Sequence, residues 1–331
     1  MFRQLLSANI TRINLTSTPP PEATMATPAI YQQYTETTFF VLPLYIITII
    51  VGTVGNGLVF RSYLVDKSAH SCIFRFLIAN LSVADLILCA LFTPILLVYR
   101  SNASAMLIAK TPLCEGCIFL SMLSISMMYA IFPLLALHRK DVMLNPREPK
   151  MTMKQVQKIV AVFWSFCCVT SLGLVGMAWR NFLNENNTNP KFYRCLLINT
   201  EVDAFTVYFL GYSSLLYGLS IAITVSIYWT INKHMNSNLS GVNASADERH
   251  VTKMCFWIAI VYTVCWTPFL VVQLSGIFGQ YSEVYFNLHA CSSGVGVIGS
   301  AINPIVYAVM DPYYRATLLP FVKTANKNNK Q

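Results

Sequence analysis

Seven stretches of this chain are each long and apolar enough to cross a lipid bilayer, and that constrains the fold more than any other feature. A hydrocarbon core about 30 Å thick takes about 20 mostly apolar residues per helical crossing. The stretches are Thr38–Leu64, Phe74–Tyr99, Cys117–Ala136, Ile159–Trp179, Ala204–Ile231, Met254–Phe278 and Val284–Met310, the last being the least apolar. A soluble protein with seven buried helices is the alternative, but the polar connections are too short and the apolar runs too long for it. Composition agrees, with 55% hydrophobic and 11% charged residues, against roughly a quarter charged in a soluble domain. The expected fold class is an all-α membrane protein, a single seven-transmembrane helix bundle over 37–310, with no internal repeat.

The formal net charge of +9 raises the question of nucleic acid, and the distribution of charge answers it. An odd number of spans puts the termini on opposite sides. With the N-terminus outside, 16 of the 23 Lys and Arg residues fall on cytoplasmic segments and seven on external ones. That is the positive-inside bias of a membrane protein, so no nucleic acid partner is expected. Residues 1–36 are polar, carry Pro19, Pro20 and Pro21 in a row, and contain no apolar core of a cleavable signal peptide. They predict a disordered extracellular tail. Sequons at Asn9 and Asn14, and at Asn186 before the fifth span, fit glycosylation on that side. Asn102 lies too near the bilayer, and Asn238 and Asn243 face the cytosol, so those three are expected to stay bare.

Ten cysteines are present, and eight fall in or near apolar segments, where a small hydrophobe is the ordinary explanation. Cys114 stands at the external start of the third span and Cys195 in a polar external loop, an oxidising setting. A bridge between them would pin the loop over the bundle, with Cys117 as a rival partner.

Ionisable residues inside a span mark function by default. Asp85 lies deep in the second span, within Ala79-Asn80-Leu81-Ser82-Val83-Ala84-Asp85-Leu86, with Asn56 and Asn303 as polar partners; a packing cluster without signalling is the alternative. Proline in a helix frees the carbonyl four residues back and bends the axis. Pro268 frees Val264 and Pro304 frees Ser300, with Trp266 and Tyr307 close to the two bends. From Cys114 to Arg139 is 25 residues, roughly 37 Å of helix, so Arg139 reaches the inner face beside His138. Glu248, 20 residues before Pro268, falls at the same level. Ordinary solvated helix ends are the alternative for both.

These residues form an ordered set. Gly55-Asn56, Leu81 through Asp85, Cys114 with Arg139, Trp164, Cys265-Trp266-Thr267-Pro268 and Asn303-Pro304-Ile305-Val306-Tyr307 together resemble the rhodopsin-like (class A) G-protein-coupled receptors, over roughly residues 38–320. The resemblance implies a plasma-membrane receptor that binds an external ligand between its helices and opens its inner face to a heterotrimeric G protein. It implies a Cys114–Cys195 disulfide. Trp266 and Pro268 would form the pivot under the ligand, Asn303, Pro304 and Tyr307 would rearrange, and Arg139 would meet the G protein. Residues 311–331 would hold a short amphipathic helix from Asp311 to Pro320, anchored in the inner leaflet by Tyr313, Leu318 and Phe321, and a short cytoplasmic tail. The departures are the family's acid before the arginine, here His138, its following tyrosine, here Lys140, and a fifth span with Ser220 where a proline is usual. Met128 replaces the small hydroxyl that helps hold sodium beside the Asp85 equivalent. After Pro320, Thr324 is the sole hydroxyl for phosphorylation.

For the ligand, Ser121 stands where amine receptors carry an acid, which argues against a monoamine. Val284–Met310 has no lysine, so retinal has no point of attachment. A peptide is the expected ligand, because the segment 180–203 is long, polar and mixed in charge, with Arg194 among its cations. A lipid or small neutral ligand is the alternative, favoured by an apolar cavity around Ile125, Trp266 and Phe269. Tyr99, Gln273 and Ser293 could line either pocket. A channel or transporter is a distant alternative, for which a single intramembrane acid is too few. No metal cluster, nucleophile triad or phosphate loop stands out, so no enzymatic activity, metal or cofactor is expected.

Overall fold

The computed structural model describes residues 40–101, 113–183, 204–236, 245–276 and 283–318. Seven long helices cross the molecule: α1 Phe40–Val65, α2 Ile73–Val98, α3 Leu113–Leu144, α4 Met153–Trp179, α5 Ala204–Asn236, α6 Ala246–Ser275 and α7 Val284–Met310. A short helix, α8 Pro312–Leu318, follows α7 at once. Every expected crossing is present. Several helices run past the apolar stretch that announced them, because a helix does not stop where the bilayer does. Thus α3 continues to Leu144 instead of Ala136, and α6 begins at Ala246 instead of Met254.

The start of α6 is set locally. The Ser245 hydroxyl accepts from the Glu248 amide at 3.2 Å, and Asp247 and Glu248 occupy the first turn. A side-chain cap with acids beside it satisfies orphan donors and complements the helix dipole. Glu248 is thereby fixed at the first turn of the helix. Asp66 organises the α1–α2 connection in the same manner, accepting from the Ser68 amide at 2.9 Å and from Arg75 at 3.1 Å.

α3 is the most enclosed helix, packed against α2, α4, α5 and α6, and α6 lies closely along α7. The outer faces are apolar instead of polar: Ile50, Val162, Val169, Val225, Trp229 and Val309 are all more than half exposed. Lipid, not water, suits that surface. α1 and α7 meet closely at Gly55, where a Cβ would stand 2.6 Å from the Cβ of Pro304. Only a residue without a side chain permits that approach.

α8 is described as far as Leu318, and Leu319, Pro320 and Phe321 lie outside the described residues. Tyr313 packs on the bundle. Its ring stacks 3.8 Å under the Arg75 guanidinium, its hydroxyl donates to the Ser62 carbonyl at 3.4 Å, and Tyr314 beside it is buried against Tyr307. Both tyrosines tie α8 to the bundle. The hydrogen bond from the Ser68 side chain, at 2.7 Å, holds the Asp66 carboxyl below its usual range, so the acid stays charged beside Arg75.

Candidate functional site

Arg139 occupies the end of α3 that adjoins the 145–152 connection and is only 3% exposed. Nη1 donates to Glu248 Oε2 of α6 at 2.8 Å, and Nη2 donates to His138 Nδ1 at 2.8 Å. Since arginine has no acceptor, Nδ1 must present its lone pair and the imidazole is neutral. Phe74 of α2 lies 4.9 Å beneath the guanidinium. The structure therefore brings His138, Arg139 and Glu248 together, and α3 is latched to α6. Asp141, two residues on, holds the following loop by accepting from the Met151 amide at 2.8 Å and from Asn145 at 3.1 Å.

Midway along the bundle, Asn303 donates to Asp85 Oδ2 at 2.8 Å, joining α7 to α2. Asn56 corrects the expectation of a shared cluster. It does not bond Asp85; its amide nitrogen donates to the Gly52 carbonyl at 2.9 Å and to the Ser300 carbonyl at 3.0 Å. The Ser300 carbonyl is the one that Pro304 deprives of its helical donor, so Asn56 repairs the bend instead of solvating the acid. Met128 is fully buried and takes the Ser300 hydroxyl on its sulfur at 3.8 Å. Tyr307 is fully buried as well, below this layer. Trp164 of α4 donates to Asn80 Oδ1 at 3.0 Å, which adds α4 to the frame.

Trp266 is buried under Phe269, edge-on at 5.7 Å, and Gly296 of α7 allows the indole to approach, since a Cβ there would lie 3.2 Å from it. Ile125 is buried in the same core. Tyr217 of α5 donates to the Thr263 carbonyl at 3.0 Å and shares a 2.5 Å bond with Thr267, while its ring meets Tyr129 at 5.5 Å. α5 thus crosses Ala204–Asn236 without a proline and is held to the bent part of α6 by a tyrosine.

At the opposite end from Arg139, Gln273 of α6 and His289 of α7 approach at 3.3 Å, and His289 Nδ1 accepts from Arg100 Nη2 at 3.0 Å. The imidazole also packs 5.4 Å from Phe269. Ser121 is buried and bonded to the Ile118 carbonyl of its own helix. Ser293 turns to α1, bonding Tyr45 at 2.8 Å and the Ala290 carbonyl. These two hydroxyls are therefore satisfied in packing. Cys114 is in a disulfide, and Cys117 is a free thiol. Arg194, Cys195, Asn9, Asn14 and Asn186 lie outside the described residues, as does the side chain of Tyr99.

A family model described as seven-transmembrane receptor (rhodopsin family) matches residues 55–307. The chain belongs to the rhodopsin family of seven-transmembrane receptors. Neuromedin-U receptor 2 of Rattus norvegicus is 26% identical over 295 residues, covering 82% of this chain and 72% of that protein. Opsin Rh5 of Drosophila melanogaster is 25% identical over 309 residues, covering 86% and 78%. The neuromedin-U receptor 2 of Homo sapiens is 25% identical over 318 residues, covering 87% and 73%. As a member of this family the chain is a multi-pass G-protein-coupled receptor of the plasma membrane. In this receptor the acid before the arginine is replaced by an acceptor without charge, and among the described residues the carboxylate paired with Arg139 comes from α6. Sequence reasoning passed over Arg100, His289 and Tyr217. Arg100 was visible as a cation at the end of an apolar stretch, but nothing in its neighbours indicated a buried side chain.

Proposed function

We propose that the receptor binds an extracellular peptide at the Arg100 end of the bundle and activates a G protein at the Arg139 end. The observation that carries this reading is the pairing of a buried, mixed polar and aromatic cluster at one end with an α3–α6 ion-pair latch at the other. The excess of Lys and Arg on segments at the Arg139 end supports placing that end in the cytosol and the N-terminus outside. The polar segment 180–203 supports a peptide, as do relatives named as receptors for neuromedin U. Relatives named as opsins do not extend to a chromophore, because α7 contains no lysine to form a Schiff base.

Activation in this reading means separating α6 from α3. Arg139 must leave Glu248, and the hinge is the Trp266–Pro268 turn. Asp85 and Asn303 are positioned to trade hydrogen bonds as α7 shifts against α2. A Cys114–Cys195 disulfide would hold the 180–203 segment over the ligand. The test is guanine-nucleotide exchange in membranes bearing the full chain, across G-protein classes, against a peptide library and a lipid library. Exchange stimulated by a peptide is expected; exchange stimulated only by lipids would transfer the site to the neutral-ligand alternative.

A further inference from the structure

Among the described residues, no acid neutralises the charge of Arg100. Arg100 stands on the last turn of Thr93–Ser101, the helical segment that continues α2 past Val98, and is 5% exposed. Its Nη2 donates to His289, while Nε and Nη1 are buried without a partner. Both ion pairs among the described residues lie elsewhere, at Asp66–Arg75 and Arg139–Glu248, and Glu115 on the first turn of α3 makes none with it. A guanidinium has five N–H donors, no acceptor and a permanent charge. A long cation at a helix end ordinarily extends to water or the headgroups. This one does not, and an uncompensated buried charge is strongly unfavourable.

His289 accepts the Arg100 proton at Nδ1, so its own proton is on Nε2; the Gln273 side-chain nitrogen 3.3 Å away is itself a donor, so that amide accepts the proton only with its oxygen turned to the ring. The imidazole is therefore neutral and does not balance the charge. Three helices, α2, α6 and α7, thus hold one cation in place with neutral groups and leave two of its nitrogens as donors. On its other face His289 meets Phe269, which is edge-on to Trp266. A group bound at Arg100 sits one imidazole away from the rings that cover the α6 bend.

We propose that Arg100 is the anchor for a carboxylate of the ligand, held by the guanidinium and sensed through His289 and Phe269. A single guanidinium matches a singly charged carboxylate better than a phosphate dianion. The inference rests on the reading of this end as the ligand site, and it specifies the chemistry of that ligand. The carboxylate can be a peptide C-terminus, a Glu or Asp side chain, or the acid group of a small organic ligand.

The test uses paired probes on the full-length receptor. One set is short peptides made as the C-terminal acid and the C-terminal amide, with Glu→Gln and Asp→Asn versions. The other is small alkyl and aryl carboxylic acids with their primary amides. Nucleotide exchange and thermal stabilisation of the purified receptor are both read. An acid should act at least about 30-fold more strongly than its amide, the loss expected when one partner of a buried charged contact is removed. R100Q should abolish that preference, and R100K should keep part of it. Should R100Q fail to fold, the acid-to-amide ratio on the parent receptor decides alone. Equal potency of acid and amide, an acid preference that survives in R100Q, or no active acid in either set overturns the proposal. Active small acids with silent peptides would refute the peptide reading and leave the anchor standing.

Discussion

The side chain of Asn56 donates at 3.0 Å to the carbonyl oxygen of Ser300, the group that Pro304 leaves without its helical partner. A proline bend in lipid would otherwise leave a buried acceptor unsatisfied, at a cost of about 1–3 kcal/mol. Asn56→Ala should therefore lower the thermal stability of the purified receptor by that order, whereas Asn56→Asp, with no amide donor, should not restore it. An unchanged melting temperature for the alanine variant would refute the role of Asn56 in repairing the bend.

Two glycines two residues apart on α1, and so on different faces of the helix, give an internally controlled test of the α1–α7 contact. A Cβ at Gly55 would stand 2.6 Å from Pro304, whereas one at Gly57 meets nothing within 4 Å. Gly55→Ala should destabilise by about 1–3 kcal/mol, the usual cost of overpacking. Gly57→Ala should be neutral or stabilising, by up to about 1 kcal/mol from helix propensity. Thermal denaturation of both variants checks the pair, and equal effects would show that the two helices do not meet there.

Ligand-free signalling should depend on the Arg139 latch. Glu248 is 42% exposed in its side chain, so solvent screens the ion pair and its contribution is about 0–1 kcal/mol, or up to about fivefold in the resting equilibrium. Glu248→Ala should raise basal nucleotide exchange within that range. His138→Asp should lower it, because a carboxylate in the same place would add charge to a contact that is now a neutral hydrogen bond. Matched surface expression and basal exchange for the three proteins provide the measurement. A parent receptor that is silent and indifferent to both changes would mean that packing elsewhere sets the resting state.

Non-reducing peptide mapping of the mature protein should join Cys114 to Cys195 and recover Cys117 as a free thiol. Cys195→Ser should then cost about 2–5 kcal/mol of stability, as loss of a native bridge in a small extracellular element does. A fragment linking Cys117 to Cys195 would overturn the assignment.

The amino-acid sequence alone determined the number of crossings and the identity of the polar residues inside them. Both follow from properties that belong to each segment by itself: the apolar length needed to span a bilayer, and the lack of a helical N–H at Pro268 and Pro304. The family followed too, because Asp85, Arg139, Trp266 and Asn303 sit in recognisable local strings. Tertiary structure decided which of these groups meet. Asn56 and Asp85 are both buried polar residues of neighbouring helices, and only helix rotation and the close approach at Gly55 direct Asn56 to the Ser300 carbonyl. The same holds at the other end, where Arg100, Gln273 and His289 come from three helices. A cation at the end of an apolar run has the same sequence signature whether it reaches water or turns inward. Its burial depends on how α2 packs against α6 and α7, and no periodicity within α2 records that.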